Sequence, residues 1–359
     1  MAEELQIAAY DYDLPPELIA QVPCIPRDQA RLMRLERAGP GLDHHRVRDL
    51  PGLLRAGDLL VFNDSRVLPA RLLGQRAATG GKWEGLYLRT HASGAWELLS
   101  QTRGWLRVGE ELTVPALAAG MPPLRLRVQG RTPERHLLAL PVADRAEAAN
   151  AVDAPALLER YGQTPLPPYI RGGRAAPDDR ERYQTIFARE PGSAAAPTAG
   201  LHFTPQLVAD LEARGVQRAT VTLHVGTGTF APLRPDQLAE GLLHEEWCQV
   251  PVGTVAAIEA TRAQGGRVIA VGTTSARTLE SAAQQGWPAA WSGATRLFIR
   301  PPFRFQLVDG LLTNFHLPRS SLLMLVAAFA CPERLQSAYA VAIRERYRFY
   351  SYGDAMLIL

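Results

Sequence analysis

Apolar and polar residues alternate over short runs between residues 72 and 142, and turn-like stretches separate those runs. The runs lie at residues 86–88, 96–99, 110–114, 124–128 and 136–140. No long stretch of this region repeats its apolar residues with the 3.6-residue period of a helix. A period of two with frequent turns is typical of a small antiparallel barrel or sandwich. We therefore predict an inserted antiparallel β-barrel over residues 71–150.

The rest of the chain alternates strand-like and helix-like segments. Apolar strands are predicted at residues 59–62, 219–225, 268–271 and 297–299. Helical patterns cover residues 154–161, 207–214, 250–264, 276–285, 320–330 and 333–347. Such alternation favours a largely parallel sheet covered by helices. The predicted fold class is α/β, with a discontinuous layered main domain formed by residues 1–70 and 151–359.

Composition narrows the class of protein. The 359 residues are 47% hydrophobic, which excludes a disordered chain and allows two domains with cores of their own. The longest apolar run, residues 322–331, is much shorter than the ~20 residues of a membrane helix. No signal peptide is visible, and the three cysteines lie far apart without a C-x-x-C motif. We expect a cytoplasmic protein without a membrane segment.

Positive charge is carried almost entirely by arginine. Lys82 is the only lysine among 39 basic residues, and the net charge is +3. A GC-rich genome explains this bias, but arginine also binds phosphates through its planar, forked group of donors. The composition therefore permits an RNA partner without requiring one.

Four segments combine histidine with glycine- or proline-bounded turns. They hold half of the eight histidines, namely His202, His224, His244 and His316. Ligands of α/β sheets bind at the carboxyl ends of strands, where such turns are expected. Histidine also titrates close to neutral pH, which suits proton transfer. We predict that these four histidines converge on one pocket of the α/β domain.

Other types of site find less support in the sequence. The G-x-G at residues 226–228 lacks the third glycine of a dinucleotide-binding loop. Neither a second histidine after His244 nor a G-x-S-x-G motif is present, so we expect no metal site and no serine hydrolase. Residues 272–275 follow a predicted strand, and they form either an anion site at a helix N-terminus or an ordinary helix cap.

Taken together, the ordered motifs resemble those of the S-adenosylmethionine:tRNA ribosyltransferase-isomerase family of queuosine biosynthesis. The resemblance runs nearly end to end. It rests on DYDLPPELIAQVP (residues 11–23), VFNDSRVLPARL (61–72), PLPPYIR (165–171), ERYQTIFA (181–188), AAPTAGLHFT (195–204), TLHVGTGTF (222–230), HEEW (244–247), VGTTSARTLES (271–281), TNFHLPRSSLLMLVAAFA (313–330) and YRFYSYGDAMLI (347–358).

The resemblance implies a reaction in which S-adenosylmethionine is a substrate rather than a methyl donor. Its ribosyl unit is transferred to 7-aminomethyl-7-deazaguanine at the wobble position of a tRNA anticodon loop and isomerised. Epoxyqueuosine, adenine and methionine result, without a metal or a separate cofactor. The family also suggests a monomer. Its tRNA would contact arginines, for which the stretches at residues 171–174 and 344–348 are candidates.

The site residues that the motifs suggest fall into two groups. The expected catalytic residues are His202, His224, His244, Glu246 and His316. The expected substrate-binding residues are Asp64, Arg66, Thr198, Gly200, Gly226, Gly228, Thr229, Thr273, Thr274, Arg277 and Asn314.

The sequence leaves two questions open: which residue is the catalytic base, and whether the function is the one that the resemblance implies. The base that removes a proton from C5′ of the donor is expected to be His202 or His224, with Glu246 as the rival. A methyltransferase that uses the same donor and a tRNA-binding module without catalysis are the alternative functions. The acidic residue and glycine loop of many methyltransferases are absent, and a mere binding module leaves the histidine-rich turns unexplained.

Overall fold

The chain forms two compact units in a computed structural model that describes residues 7–142, 153–226, 233 and 235–359. The first unit comprises Met1–Arg66, Tyr169–Gly172 and Gln184–Leu359. The second comprises Val67–Pro168 and Gly173–Tyr183, and so extends beyond the predicted barrel segment at both ends. Among the described residues, no helix is long and apolar enough to cross a membrane.

Regular elements are numbered here in chain order. The strands are β1 (Arg31–Leu35), β2 (Leu42–Arg46), β3 (Leu59–Asn63), β4 (Ser65–Val67), β5 (Arg71–Arg76), β6 (Lys82–Thr90), β7 (Trp96–Thr102), β8 (Glu111–Val114), β9 (Leu124–Arg131), β10 (Leu137–Val142), β11 (Glu190–Ser193), β12 (Gln217–Leu223), β13 (Leu242–Val250), β14 (Val268–Val271), β15 (Trp291–Leu297), β16 (Gly310–Asn314) and β17 (Ala355–Ile358). The helices are α1 (Leu50–Leu53), α2 (Ala154–Tyr161), α3 (Asp179–Arg182), α4 (Pro205–Ala213), α5 (Pro235–Glu240), α6 (Val252–Ala263), α7 (Thr273–Ala283), α8 (Ser321–Ala330) and α9 (Pro332–Arg344).

A mixed sheet organises the first unit. In the described chain it has nine strands in the order β15-β13-β12-β3-β14-β16-β17-β1-β2. The four central strands, β12, β3, β14 and β16, run parallel to one another. Antiparallel strands extend the sheet on both sides, so only half of its eight pairings are parallel. The expectation of a largely parallel sheet therefore holds for the four central strands, and β1 and β17 form the one parallel pair outside them in the described sheet.

Burial on both faces explains the apolar runs of the central strands. Successive side chains of a strand point to opposite faces. In β3, Leu59 and Val61 enter one core, whereas Leu60 and Phe62 enter the other. Helices α6 to α9 cover the first core, and α1 and α4 cover the second. A strand that is buried on both sides reads as a continuous apolar run, which is why the sequence predicts β3 and β14 well.

Several outer strands were not predicted from the sequence or were predicted at the wrong residues. The expected strand at residues 297–299 is wrong in its bounds, because β15 ends at Leu297. His244 was expected in a turn but lies inside β13, where the pairing with β15 shifts register between Leu242 and Glu246. The exposed positions of β13 carry both apolar side chains, Leu242 and Trp247, and polar ones, His244 and Glu245, so no clean alternation marks the strand.

The second unit contains a closed barrel. Within the described residues its order is β10-β7-β6-β5-β8-β9, and every pairing is antiparallel. Strand β9 illustrates its construction: Leu124, Leu126 and Val128 are buried, and the intervening Arg125 and Arg127 are exposed. No helix lies within residues 84–140, all of which the structure describes.

The buried carboxylate of Glu97 forms hydrogen bonds with three polar side chains of the second unit. Glu97 is 3% exposed and binds Arg89 Nε at 2.8 Å, His91 Nε2 at 2.7 Å and His136 Nδ1 at 2.8 Å. Burial alone would raise the pKa of Glu97, but hydrogen bonds from His136, Arg89 and His91 outweigh it and lower the pKa to about 2. The ionised form of Glu97 therefore stabilises the folded barrel.

We predict that Glu97→Gln lowers the free energy of unfolding by about 1–3 kcal/mol at pH 7. A depressed folded-state pKa contributes stability above the unfolded value of 4.5 and loses it as pH falls toward 2. The difference between wild type and variant should thus be constant above pH 5 and shrink below pH 4.5. Urea titrations at several pH values measure it. A difference that does not change between pH 7 and pH 3 would contradict this assignment.

Candidate active site

The carboxyl ends of the four parallel strands meet at one edge of the sheet. They end at Leu223, Asn63, Val271 and Asn314. Two of these ends are joined directly, because Asn63 Nδ2 donates to the Leu223 carbonyl at 3.0 Å and Asn63 Oδ1 accepts from Leu223 N at 3.1 Å. This is the edge at which α/β sheets bind ligands, and the sequence motifs follow these same strands.

A cleft with two lobes lies in this part of the first unit. The lobe that we name the charged lobe is lined by Leu233, Gln237, Leu243, His244, Glu246, Thr273, Thr274, Arg277, Ile299, Ser321, Leu322 and Leu325. The polar and aromatic lining of the second lobe, which we name the uncharged lobe, is Tyr169, Thr198, Thr273, Thr274, Thr313, Asn314, Phe315, His316, Ser320, Tyr350 and Ser351. Thr273, Thr274 and Leu322 line both lobes, so the two are continuous.

A buried ion pair defines the charged lobe. Arg277 on α7 contacts Glu246 on β13, and Glu246 Oε1 also accepts from Gly226 N at 2.7 Å. Burial lowers the pKa of Arg277 to about 10, so the guanidinium remains charged at neutral pH. His244 lies on the same strand and lines the same lobe, but its side chain is exposed. The lobe therefore presents a fixed carboxylate beside an imidazole open to solvent.

A chain of neutral hydrogen bonds defines the uncharged lobe. Thr198 Oγ1 donates to Asn314 Oδ1 at 2.8 Å, and Asn314 Nδ2 donates to the Tyr350 carbonyl at 3.1 Å. Asn314 is the last residue of β16 and is buried. Its side chain thus links the segment around Thr198 to the segment around Tyr350.

His316 is held neutral in this lobe. Its Nε2 lies 2.7 Å from Thr313 Oγ1, and burial lowers its pKa to about 3. Two tyrosines that are remote in sequence hold its backbone. The Tyr339 hydroxyl accepts from His316 N at 2.9 Å, and the Tyr12 hydroxyl donates to the His316 carbonyl. His316 can therefore form hydrogen bonds near neutral pH without changing its charge.

The first turn of α7 lies where the lobes meet. The helix begins at Thr273, three residues earlier than predicted, directly after Gly272 at φ 95°. Its N-cap residue, Gly272, has no side chain to cap this N-terminus, and Ser275 Oγ donates to the Val271 carbonyl. The ordinary capping role left open by the sequence is therefore not filled by these hydroxyls. The first N–H groups of a helix have no acceptor within it, so they favour a negatively charged ligand.

Two of the expected catalytic histidines do not line the cleft described here. Both ring nitrogens of His202 face backbone carbonyls, Ala199 O at 3.2 Å and Gly353 O at 3.1 Å, and burial lowers its pKa. His202 therefore packs in the protein core. His224 stacks on Trp247 with the ring centroids 5.3 Å apart, and burial lowers its pKa as well, although Glu190 and Asp64 oppose this. The four histidines thus do not share one pocket lining, since only His244 and His316 reach the cleft.

Some of the remaining expected site residues line the cleft, and others do not. Asp64 is buried and accepts from Thr222 Oγ1 at 2.7 Å, whereas Arg66 is exposed on β4, and neither lines a lobe. Gly200 packs against Thr185 in the core. Thr198, Thr273, Thr274, Arg277 and Asn314 line the cleft. Gly228 and Thr229 lie outside the described residues.

An aromatic wall is the feature that the sequence analysis missed. Tyr169 and Tyr350 line the uncharged lobe, with ring centroids 4.7 Å apart. They lie in the motifs PLPPYIR and YRFYSYGDAMLI, in which nothing distinguishes these two tyrosines from the neighbouring aromatic and arginine residues. Proline-rich spacing alone does not show that a tyrosine faces a cavity.

The arginine stretches proposed for RNA contacts are partly engaged within the fold. Arg171 Nη1 donates to the Gln21 carbonyl at 2.8 Å, and Arg348 Nη2 forms an ion pair with Asp354 Oδ1 at 3.5 Å. Arg344 is exposed and forms an ion pair with Glu345. Among the residues that the structure describes, no cluster of three or more histidine, cysteine or acidic side chains could hold a metal ion.

The described chain is thus an α/β protein with a polar cleft at the carboxyl edge of its parallel strands and a separate closed barrel. Residues 7–358 match the family model described as queuosine biosynthesis protein. The chain belongs to this family.

Curated relatives match it over their full length. Proteins named S-adenosylmethionine:tRNA ribosyltransferase-isomerase are 49% identical in Moorella thermoacetica, over 99% of this chain and 100% of the relative, and 52% identical in Azoarcus, over 99% and 97%. A crystal structure of the S-adenosylmethionine tRNA ribosyltransferase from Thermotoga maritima is similar, with a TM-score of 0.55 and 38% identity, over 98% of this chain and 100% of that one.

We predict that Arg277→Met lowers the free energy of unfolding by about 3–5 kcal/mol, because it leaves the buried Glu246 carboxylate without its partner. The double variant Arg277→Met/Glu246→Gln should regain a large part of that loss. Arg218→Met is the matched control, since its ion pair with Glu212 is exposed and should be worth no more than about 1 kcal/mol. Urea unfolding measures all three. Equal losses for the Arg277 and Arg218 variants would contradict the role of the buried pair.

Proposed function

We propose that this enzyme transfers the ribosyl unit of S-adenosylmethionine to the aminomethyl group of 7-aminomethyl-7-deazaguanine in tRNA and isomerises it to the epoxycyclopentanediol of epoxyqueuosine. Adenine and methionine are released, and the donor is consumed, so no separate cofactor takes part. The names of the full-length relatives support this reaction. The observation that carries it in this chain is the cleft, whose charged and uncharged lobes meet at the start of α7.

The chemistry makes distinct demands on the protein. The sulfonium group of the donor acidifies the neighbouring C5′ protons, so a base must lie near C5′. Adenine leaves C1′ more readily when hydrogen-bond donors face its ring nitrogens. The acceptor base belongs to a single-stranded loop and can enter a cleft without breaking a base pair. Both lobes of the cleft offer groups for these tasks.

Glu246 suits electrostatic binding better than proton removal. One of its oxygens accepts from Gly226 N, and the carboxylate also contacts Arg277. Hydrogen bonds and a cation that favour the ionised form make a carboxylate a weaker base. We therefore assign Glu246 to the positive charge of the donor.

His244 is the base in this proposal. It is the exposed histidine of the charged lobe, next to the fixed Glu246 carboxylate. His202 and His224 were the leading candidates in the sequence, but His202 is enclosed by carbonyls and His224 is stacked on Trp247. His316 is neutral near pH 7 and serves the uncharged lobe as a hydrogen-bonding group.

We predict that His244→Gln lowers kcat about 10²–10⁴-fold and leaves the KM for the donor within a factor of about three. Adenine release from S-adenosylmethionine, with tRNA that carries the aminomethyl base, measures turnover. Incorporation of solvent deuterium at donor C5′ isolates the proton-removal step, and this exchange should disappear in the variant. His44→Gln, on edge strand β2, is the control and should behave as wild type.

Two results would contradict the proposal at different levels. If His244→Gln exchanges the C5′ proton at the wild-type rate while His224→Gln does not, the base is misassigned but the reaction stands. If the wild-type protein releases no adenine and instead yields S-adenosylhomocysteine and a methylated tRNA, the reaction itself is a methyl transfer and the proposed function is wrong.

A further inference from the structure

The two lobes of the cleft differ in charge. The charged lobe contains the carboxylate of Glu246, the guanidinium of Arg277 and the imidazole of His244. The titratable side chains of the uncharged lobe are those of His316, Tyr169 and Tyr350 among the described residues. Burial lowers the pKa of His316 to about 3, raises that of Tyr169 to about 12 and raises that of Tyr350 too. All three are therefore neutral at pH 7.

The aromatic wall of the uncharged lobe is fixed rather than adaptable. Tyr169 hydroxyl lies 2.7 Å from Ser351 Oγ, and the planes of the Tyr169 and Tyr350 rings are inclined at 51°. Tyr350 is 6% exposed and adopts φ 72°, in the left-handed region that side chains other than glycine rarely occupy. Its N donates to the Phe315 carbonyl at 3.0 Å and its carbonyl accepts from Asn314, so two contacts hold it there.

Such strain has a cost that the surrounding hydrogen bonds must offset. Non-glycine residues in this conformation cluster at ligand-binding sites, where strain is retained because it positions a side chain. Here it sets an aromatic ring against a cavity whose other polar groups are hydroxyls, an amide and a neutral imidazole. Flat, neutral heterocycles with ring nitrogens match these surroundings, because they stack on aromatic rings and hydrogen-bond to neutral partners.

We infer that the donor lies across the whole cleft, with its purine in the uncharged lobe against Tyr169 and Tyr350 and its amino-acid end in the charged lobe at Glu246. The inference rests on the proposed function for the identity of the donor. It adds an orientation, and it assigns Tyr169 and Tyr350 to the recognition of the leaving base.

Desolvation excludes the reverse orientation. A zwitterionic amino-acid group in the uncharged lobe would lose its hydration without meeting a charged partner, which is costly for both of its charges. In the charged lobe its ammonium group meets the Glu246 carboxylate, a partner that the described lining of the uncharged lobe lacks.

Continuity of the lobes favours the purine of the donor over the base of the tRNA. Thr273, Thr274 and Leu322 line both lobes, so one molecule with a charged end and an aromatic end can occupy both. Buried Thr274 Oγ1, at this junction, has no hydrogen-bond partner among the described residues. The ribose hydroxyls that join the two ends of the donor would fit beside it.

Two ligands that share the purine but differ in the amino-acid end test this orientation. S-adenosylhomocysteine has both ends, whereas 5′-methylthioadenosine lacks the amino acid. Dissociation constants are measured by calorimetry on the full chain. Tyr169→Leu should weaken both ligands by about tenfold or more, since both contain the ring that stacks. Glu246→Gln should weaken S-adenosylhomocysteine by about tenfold or more and leave methylthioadenosine within about twofold.

The design separates folding defects from lost contacts. Tyr169→Phe keeps the ring and should bind methylthioadenosine within about threefold of wild type, and thermal unfolding verifies that each variant is folded. Failure of S-adenosylhomocysteine to bind, an unchanged methylthioadenosine affinity in Tyr169→Leu, or equal losses for both ligands in Glu246→Gln would each overturn the orientation.

The last measurement is the binding of the acceptor base itself. If Tyr169→Leu weakens 7-aminomethyl-7-deazaguanine but not methylthioadenosine, the uncharged lobe holds the acceptor and the inference is wrong. None of these measurements requires turnover. A protein that binds both ligands as expected but releases no adenine would therefore disprove the proposed reaction while leaving the orientation intact.

Discussion

Burial of the parallel strands β3, β14 and β16 on both faces is the constraint on which the structure of the first unit depends. Because these three strands have a core on each side and β12 pairs in parallel with β3, the backbones are fixed and the four carboxyl ends meet at one edge. Asn63 and Asn314 are the final residues of β3 and β16. Their side-chain amides donate hydrogen bonds to neighbouring segments at that edge. The apolar core thus determines where polar side chains can converge, and the cleft follows from that placement.

The two lobes of the cleft differ in whether their side chains carry charge. Glu246 pairs with buried Arg277, and each charge can be buried because the other compensates it. In the other lobe, burial lowers the pKa of His316 to about 3 and keeps its imidazole neutral. One sheet edge therefore offers both a charged and an uncharged surface. A donor with a zwitterionic end and an aromatic end needs both.

The sequence predicts those parts of the fold that the spacing of apolar residues determines. Barrel strand β9 alternates buried and exposed residues, and central strand β3 is an almost continuous apolar run, so the fold class could be predicted from the sequence and agrees with the structure. The sequence could not show where a side chain points. His202 belongs to a glycine-containing motif, as His224 does, yet both ring nitrogens of His202 face backbone carbonyls. Tyr169 faces the cleft from a proline-rich stretch in which nothing marks it as functional. Such orientations arise from tertiary contacts between segments that are far apart in the chain.

The most direct measurement of the central claim is a crystal structure of the protein with S-adenosylhomocysteine bound. The account predicts one ligand that passes Thr273 and Thr274 at the start of α7, with its purine against Tyr169 and Tyr350 and its amino group at Glu246. A ligand bound in the reverse direction would contradict the division of the cleft by charge. A ligand bound away from the carboxyl ends of β12, β3, β14 and β16 would contradict the placement of the active site itself.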